Sequence, residues 1–354
     1  MVLLDRYVMR QVAVAIIAVL LVVLALDFIG QLIEQLDQLR GDYTFYELFI
    51  YVSWGIPRSV YEYLPYAVLV GCLIGLGVLA NASELVIIRT AGVSVARIVW
   101  MVLKPVLVFI AFGLCLGEFV IPYADQVSES RRALALGYKQ QSAQAQRGVW
   151  HREADEYIHF NVILPDGQAY GITRYRFDEQ NHLQQVSFAQ EAIYQQGQWQ
   201  EQDVHITHFS EQQLRSELVD RRDWQTELTP DLLNTVVVPP EALSIWRLSQ
   251  YSRYLAEHSL YNREYALALW QKILQPVATA SLVLIAISFI FGPLREVSMG
   301  QRIFTGVVFG ILFRLLQSLL GPSSIVFGFP PLVAVLIPIV LCLALGIYLL
   351  RRAG

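Results

Sequence analysis

The sequence predicts a membrane α-helical fold of six transmembrane helices with an inserted, periplasmic, all-β domain of sandwich or jellyroll type. Two observations establish the class. The chain of 354 residues is 55% hydrophobic and only 16% charged, with a mean hydropathy of +0.45, the balance of an integral membrane protein. Its apolar residues also gather at the two ends, while the middle, about Arg131–Leu260, is rich in Gln, Glu, Arg, Tyr and Trp and has no run long enough to span. The expected division is residues 1–130 for three spans, 131–260 for the β domain with a returning amphipathic helix, and 261–354 for three more spans.

The first span covers Val8–Ile33; it is too long for a cleaved signal peptide and has no small-residue cleavage site. The others are Val60–Ala80, Ile98–Tyr123, Ile273–Leu294, Ile303–Leu320 and Pro331–Leu350. An even number places both termini on one side. Arg6, Arg10, Arg89, Arg97, Lys104, Arg295, Arg302, Arg351 and Arg352 all flank that side, which makes it the cytoplasm and sends the polar middle to the periplasm. Cys72, Cys115 and Cys342 lie inside apolar runs, so the exported middle has no disulfide to form.

Between the second and third spans lies Ala80–Arg97, a polar interruption that must sit at a membrane face. Ser83 followed by Glu84 suits a helix start, and Leu85, Ile88, Val93 and Val95 are apolar among Arg89, Thr90 and Arg97. A short amphipathic helix pressed on a partner fits this pattern, and so does an ordinary polar turn. In the exported part, Ile158, Phe160 and Val162 alternate with Tyr157, His159 and Asn161, and Pro165, Asp166 and Gly167 supply a turn. The rhythm returns at Tyr170–Phe177, Leu183–Tyr194 and Trp199–Phe209, which points to a sandwich or jelly roll. After Pro239 and Pro240 the period becomes helical through Leu243, Trp246, Tyr251, Tyr254 and Leu255.

Recognisable catalytic chemistry is missing. The chain has no phosphate-binding loop, no nucleophile elbow and no zinc-protease helix, so it is not read as an enzyme. A net charge of −4 argues against nucleic acid. His205 and His208, three apart in a strand, face opposite sides and make no metal site.

Charges inside the spans are more telling. Arg314 follows Ile303 by 11 residues, a depth of roughly 16 Å, where an Arg costs about 2.5–3.5 kcal/mol and must face protein or an aqueous cavity. It either pairs with a carboxylate such as Asp27 or Glu118 or meets an anionic ligand. Arg40, Arg58, Arg131 and Arg132 gather near the outer surface, either as a solvated rim or as guanidinium forks for phosphates.

Several stretches carry a resemblance: Leu4-Asp5-Arg6-Tyr7; Ser83-Glu84-Leu85-Val86 with Ala91-Gly92; Gly148-Val149-Trp150; Leu269-Trp270-Gln271-Lys272-Ile273 through Gln275-Pro276; Ser288-Phe289-Ile290-Phe291-Gly292-Pro293-Leu294-Arg295; Met299-Gly300; and Gly321-Pro322. On these, the chain resembles the LptF/LptG family of permeases, which export lipopolysaccharide from the bacterial inner membrane. The resemblance implies pairing with an LptF-like permease, an LptB-like ATPase dimer and an LptC-like membrane protein, with ATP and Mg bound by the ATPase and no cofactor on this chain. It implies a coupling helix at about 83–92, with Ser83, Glu84, Leu85, Val86, Ile88, Arg89, Ala91 and Gly92 at the ATPase and Glu84 making a polar contact. It also implies a lipid cavity lined by the first and fifth spans, with Gln31, Arg40, Arg58, Arg131, Arg132 and Arg314 as candidates for the phosphates. Lysines common at the outer end of the first span in this family are replaced here by Gln31, Asp37 and Gln38, with Arg40 following.

Two other function classes suit the composition. A membrane-anchored scaffold or sensor could carry the same exported β domain, and an ion-coupled carrier would show broken helices or inverted repeats around paired intramembrane charges, whereas no repeat relates the two halves. Copurification of an ATPase separates both from an ATP-driven permease.

Overall fold

The computed structural model describes residues 2–39, 43–135, 149–153, 155–163, 167–178, 180, 182–195, 197–210, 213–226, 228–229, 239–257, 263–291 and 297–353. Arg40 and most of the Arg295 region therefore fall outside the described residues. The order is α1 (Val2–Gln35), α2 (Phe45–Asn81), α3 (Glu84–Thr90) and α4 (Val95–Cys115), which runs through a π turn (Leu116–Val120) into α5 (Ile121–Ala135). Six strands follow: β1 (Val149–Glu153), β2 (Glu156–Ile163), β3 (Gln168–Phe177), β4 (Leu183–Gln195), β5 (Gln198–Ser210) and β6 (Gln213–Trp224). Then come α6 (Ile245–Glu257), α7 (Arg263–Phe291), α8 (Met299–Phe327) and α9 (Pro331–Ala353).

Six helical stretches among the described residues are long and apolar enough to cross a bilayer: Leu3–Gln35, Phe45–Asn81, Val95–Ser128, Arg263–Phe291, Met299–Phe327 and Pro331–Arg352. These are the six expected spans, each longer than its apolar core. The shortest has 22 residues, about 33 Å of helix.

The chain sorts into two compact units: Met1–Glu34, Gly55–Ala124 and Pro240–Gly354 form one, and Gln35–Trp54 and Asp125–Pro239 the other. The returning helix α6 thus groups with the spans, whereas the sequence placed it in the 131–260 domain. The reason is local. Leu248 and Tyr251 of α6 are buried, Tyr251 packs its ring 4.7 Å from Tyr265 of α7, and the Glu118 carboxylate in the π turn accepts from the Ile245 and Trp246 N–H groups at 2.8 and 3.2 Å. Those N–H groups belong to the first turn of α6, where helices lack internal acceptors and favour negative charge.

In the membrane unit α1 and α2 abut through glycine. A methyl at Gly71 would come within 2.6 Å of Ile16 Cα and one at Gly75 within 2.9 Å of Val12 Cα, so a pair of glycines four apart lets the backbones touch. Val12, Ile16, Leu69, Leu73, Leu76, Met101, Val102, Leu282 and Ile285 fill the core around them. Pro65 deprives the Tyr61 carbonyl of its helical donor, and Gln275 of α7 donates its side-chain N–H there at 3.0 Å. Cys72 and Cys342 are buried and Cys115 is exposed.

In the other unit the strands form one antiparallel sheet in simple sequence order, β1 to β6. A jellyroll's second sheet does not occur among the described residues. Ile158, Phe160, Ile172, Ala189 and Val204 share the buried side, as the alternation demanded, and the phase shifts beside Asp203, which has a positive φ, so that Trp199 is buried as well. Arg174 is buried with them, bonded to Glu201 at 3.2 and 3.3 Å and to Glu156 at 2.8 and 3.0 Å, with its guanidinium 4.8 Å from the Trp224 ring. His205 pairs with Phe188 and His208 with Gln185.

Candidate functional site

The Ala80–Arg97 loop is a helix and not a bare turn. Ser83 does not cap it: Ser83 has a left-handed backbone (φ 58°) and makes no side-chain cap bond. Closure comes at the other end, where Gly92 N–H donates to Arg89 O at 3.0 Å and Val93 N–H to Ile88 O at 3.3 Å, with Gly92 at φ 86°. This paired closure satisfies the last carbonyls and requires a residue tolerant of positive φ. Leu85 and Ile88 are buried in the hydrophobic core of the membrane unit and anchor the helix, so these two predicted contact residues face inward. Val86, Arg89, Ala91 and Gly92 face outward, as does Ile87, which is 63% exposed and which the sequence reading passed over. Its apolar type at a position off the Leu85–Ile88 helical face is the signal in the sequence that could have found it. Glu84 accepts from the Tyr7 hydroxyl of α1 at 3.3 Å, and the Arg89 guanidinium lies 5.8 Å from the Phe291 ring of α7. The helix thus presents a small apolar outer face on a firmly anchored inner one.

A second group of polar residues lies within the spans. Asp27 accepts from Gln31 at 2.6 Å, Ser59 at 2.6 Å and Tyr63 at 2.8 Å, which commits Gln31 to a network joining α1 and α2. Arg314 does not meet Asp27 or Glu118. Its carboxylate neighbour is Glu62, at 3.9 Å, and its guanidinium lies 5.4 Å from the Tyr63 ring and 6.0 Å from the Tyr66 ring. Asp27 is already engaged by three donors, and Glu118 caps α6. Arg58 lies 3.9 Å from Glu62 as well. Two guanidinium groups therefore approach the same carboxylate, Arg58 at one oxygen and Arg314 at the other. At 3.9 Å Arg314 and Glu62 are beyond hydrogen-bond reach, and the Arg314 side chain is 49% exposed, so its donors are open to an anionic oxygen.

In the other unit, Arg131 is exposed on α5. Arg132 donates to the Tyr51 hydroxyl at 3.0 Å and to Gln35 Oε1 at 3.4 Å, with its guanidinium 4.8 Å from the Tyr51 ring. Among the described residues no group of His, Cys, Asp or Glu is arranged to hold a metal ion.

Comparison with known proteins follows the same lines. The family model described as lipopolysaccharide export system permease LptF/LptG matches residues 6–352. The chain is 32% identical over 353 residues to the lipopolysaccharide export system permease protein LptG of Escherichia coli (strain K12), which covers 99% of this chain and 98% of that protein. It is 34% identical over 352 residues to the protein of the same name from Haemophilus influenzae, with 99% and 98% covered.

Proposed function

Because the chain belongs to the LptF/LptG family of lipopolysaccharide export permeases, we propose that it forms one half of an ATP-driven transporter whose energy enters through α3. It is an LptG-type permease and a multi-pass protein of the inner membrane, with lipopolysaccharide as its cargo. Both termini lie in the cytoplasm, as the distribution of Lys and Arg requires, and the β unit lies in the periplasm. An LptF-like permease completes the cavity, an LptB-like ATPase dimer binds ATP and Mg, and an LptC-like helix joins the assembly. This chain is then the non-catalytic subunit.

One observation carries the reading: α3 is pinned by Leu85 and Ile88, closed by Gly92, and offers Val86, Ile87 and Ala91 to a partner. A helix so anchored moves with the spans when a partner pulls it. Near the outer half of the spans, Arg314 supplies the half-exposed positive charge that a lipid phosphate would meet.

The test is ATP hydrolysis by the coexpressed complex in lipid, with and without lipopolysaccharide. Glu84→Ala should cut lipopolysaccharide-stimulated hydrolysis by about fivefold or more. The reading is overturned if no ATPase copurifies with the chain, or if scrambling residues 83–92 leaves export intact.

A further inference from the structure

A single face of α8 runs from the cytoplasmic end to the outer cluster in steps of four residues: Arg302, Gly306, Gly310 and Arg314. Each member engages α2. Arg302, only 1% exposed, donates to the Gly77 carbonyl and to Asn81 Oδ1, both at 2.9 Å. A methyl at Gly306 would come within 2.5 Å of Leu73 Cδ1, and one at Gly310 would touch Leu69 and Tyr66 at 3.6 Å. Arg314 lies over Tyr63 and Tyr66. Small residues four apart let two helices pack along their length, and the two arginines close both ends of the seam.

The lower closure is the informative one. Burying a guanidinium is costly unless its donors are met, and here they meet the C-terminal end of α2, where helix carbonyls concentrate negative potential. Asn81 is the last residue of α2, and α3 begins three residues later at Glu84. The link between them is held by its own bonds: Ala82 N–H to Val78 O at 3.1 Å, Ser83 N–H to Ala80 O at 3.0 Å and Ile87 N–H to Ser83 O at 3.1 Å. Gly77 leaves no room for slack, since a methyl there would sit 3.1 Å from Met299 Sδ and 3.2 Å from the Arg302 guanidinium.

We infer that Arg302 is a positioning residue of transport: it fastens the foot of α8 to the α2–α3 corner, so that displacement of α3 is delivered along the α2–α8 seam to Arg314. The inference rests on the reading that α3 meets an ATPase. Arg302 touches neither nucleotide nor lipid in this scheme; it acts by holding two helices in step. Both bonds leave one nitrogen, Nη1, whose two hydrogens reach a backbone carbonyl and a side-chain amide together, a pairing that a lysine ammonium can reproduce in part.

The test uses the full complex with its ATPase in lipid nanodiscs and reads two quantities: ATP hydrolysed, and lipopolysaccharide extracted per ATP. Arg302→Met and Asn81→Ala are compared with wild type, and Arg302→Lys serves as the conservative variant. The expected result is assembly and hydrolysis near wild type, with lipid extracted per ATP lowered about fivefold or more in Arg302→Met, less in Asn81→Ala, and partly restored in Arg302→Lys. A ratio unchanged in Arg302→Met overturns the inference, as does a loss of hydrolysis and extraction in strict proportion. Should Arg302→Met fail to assemble, Asn81→Ala decides alone, and an unchanged ratio there overturns it. A wild-type complex that extracts no lipid on ATP addition would instead sink the function proposed for the chain.

Discussion

The residue with the most at stake in the β unit is Arg174, a buried cation held between Glu201 and Glu156 over Trp224. Removing one member of such a set leaves an uncompensated charge, at a cost of about 3–5 kcal/mol. Glu201→Ala should therefore lower the unfolding midpoint of the β unit sharply, as read by tryptophan fluorescence, while Glu201→Ala combined with Arg174→Met recovers part of the loss. Protons act on the same unit. Burial holds His151 and His159 below the ordinary 6.5, so both are favoured neutral in the fold and take up protons on unfolding. Burial pushes the Glu156 carboxyl up, but Arg174 and Arg176 outweigh it and hold the group below 4.5. Protection factors in β1–β3, exchange rates taken relative to the base-catalysed rate of an open amide at the same pH, should be highest above pH 6.5. They should fall as the pH drops below 6.5 and the histidines charge, and again below 4.5 as Glu156 is protonated. A flat profile from pH 7 to 5 would contradict the histidine part. For Arg314, Arg314→Ala should weaken crosslinking of lipopolysaccharide to α8 by several-fold, roughly the loss of one exposed charge-assisted contact. Unchanged crosslinking would make Arg314 a purely structural partner of Tyr63 and Tyr66.

Among the elements, α2 carries the most constraint. It touches α1 through Gly71 and Gly75 and α8 through Gly77, Gly306 and Gly310. Gly71→Leu must push Ile16 aside and should reduce folded protein in membranes by more than Gly30→Leu, where a methyl meets nothing within 4 Å. Fluorescence-detected size exclusion of the two variants checks this. The six spans were legible because length and hydropathy alone decide them, and β2 to β5 because apolar and polar residues alternate there as at Ile158 and Phe160; β1 and the largely charged and polar β6 lack that rhythm and were not foreseen. The glycine seams were also written in the chain, as Gly71–Gly75 and Gly306–Gly310, but a four-residue spacing becomes a contact only once the partner helix is known. Arg314 could be placed at depth by counting residues. Its neighbour could not, because Glu62 comes from another helix 252 positions earlier (314 − 62). Likewise Ser83 marked the right start of α3 for the wrong reason: the helix is fixed by Leu85, Ile88 and the turn at Gly92, not by a serine cap.

At the scale of the whole molecule, the outer faces of α1 and α8 are left uncovered. Val14, Ile17, Leu21, Leu26 and Ile29 of α1 and Phe304, Val307, Ile311, Leu315 and Leu319 of α8 are all exposed. Lipid satisfies such surfaces, but so does a second permease. Made without an LptF-like partner, the chain should be degraded faster in a pulse-chase experiment, and coexpression should lengthen its lifetime several-fold.

The up-and-down order of the six strands bears on biogenesis. Each strand pairs with the one made just before it, so every hairpin can close as soon as its second strand is made. The membrane unit has no such luxury: Gly55–Ala124 must wait for Pro240–Gly354, more than a hundred residues later in synthesis. The sheet can thus be finished while the first three spans are still without their mates, and the nascent chain passes through a half-built stage in which α1, α2 and α4 depend on the insertion machinery for cover.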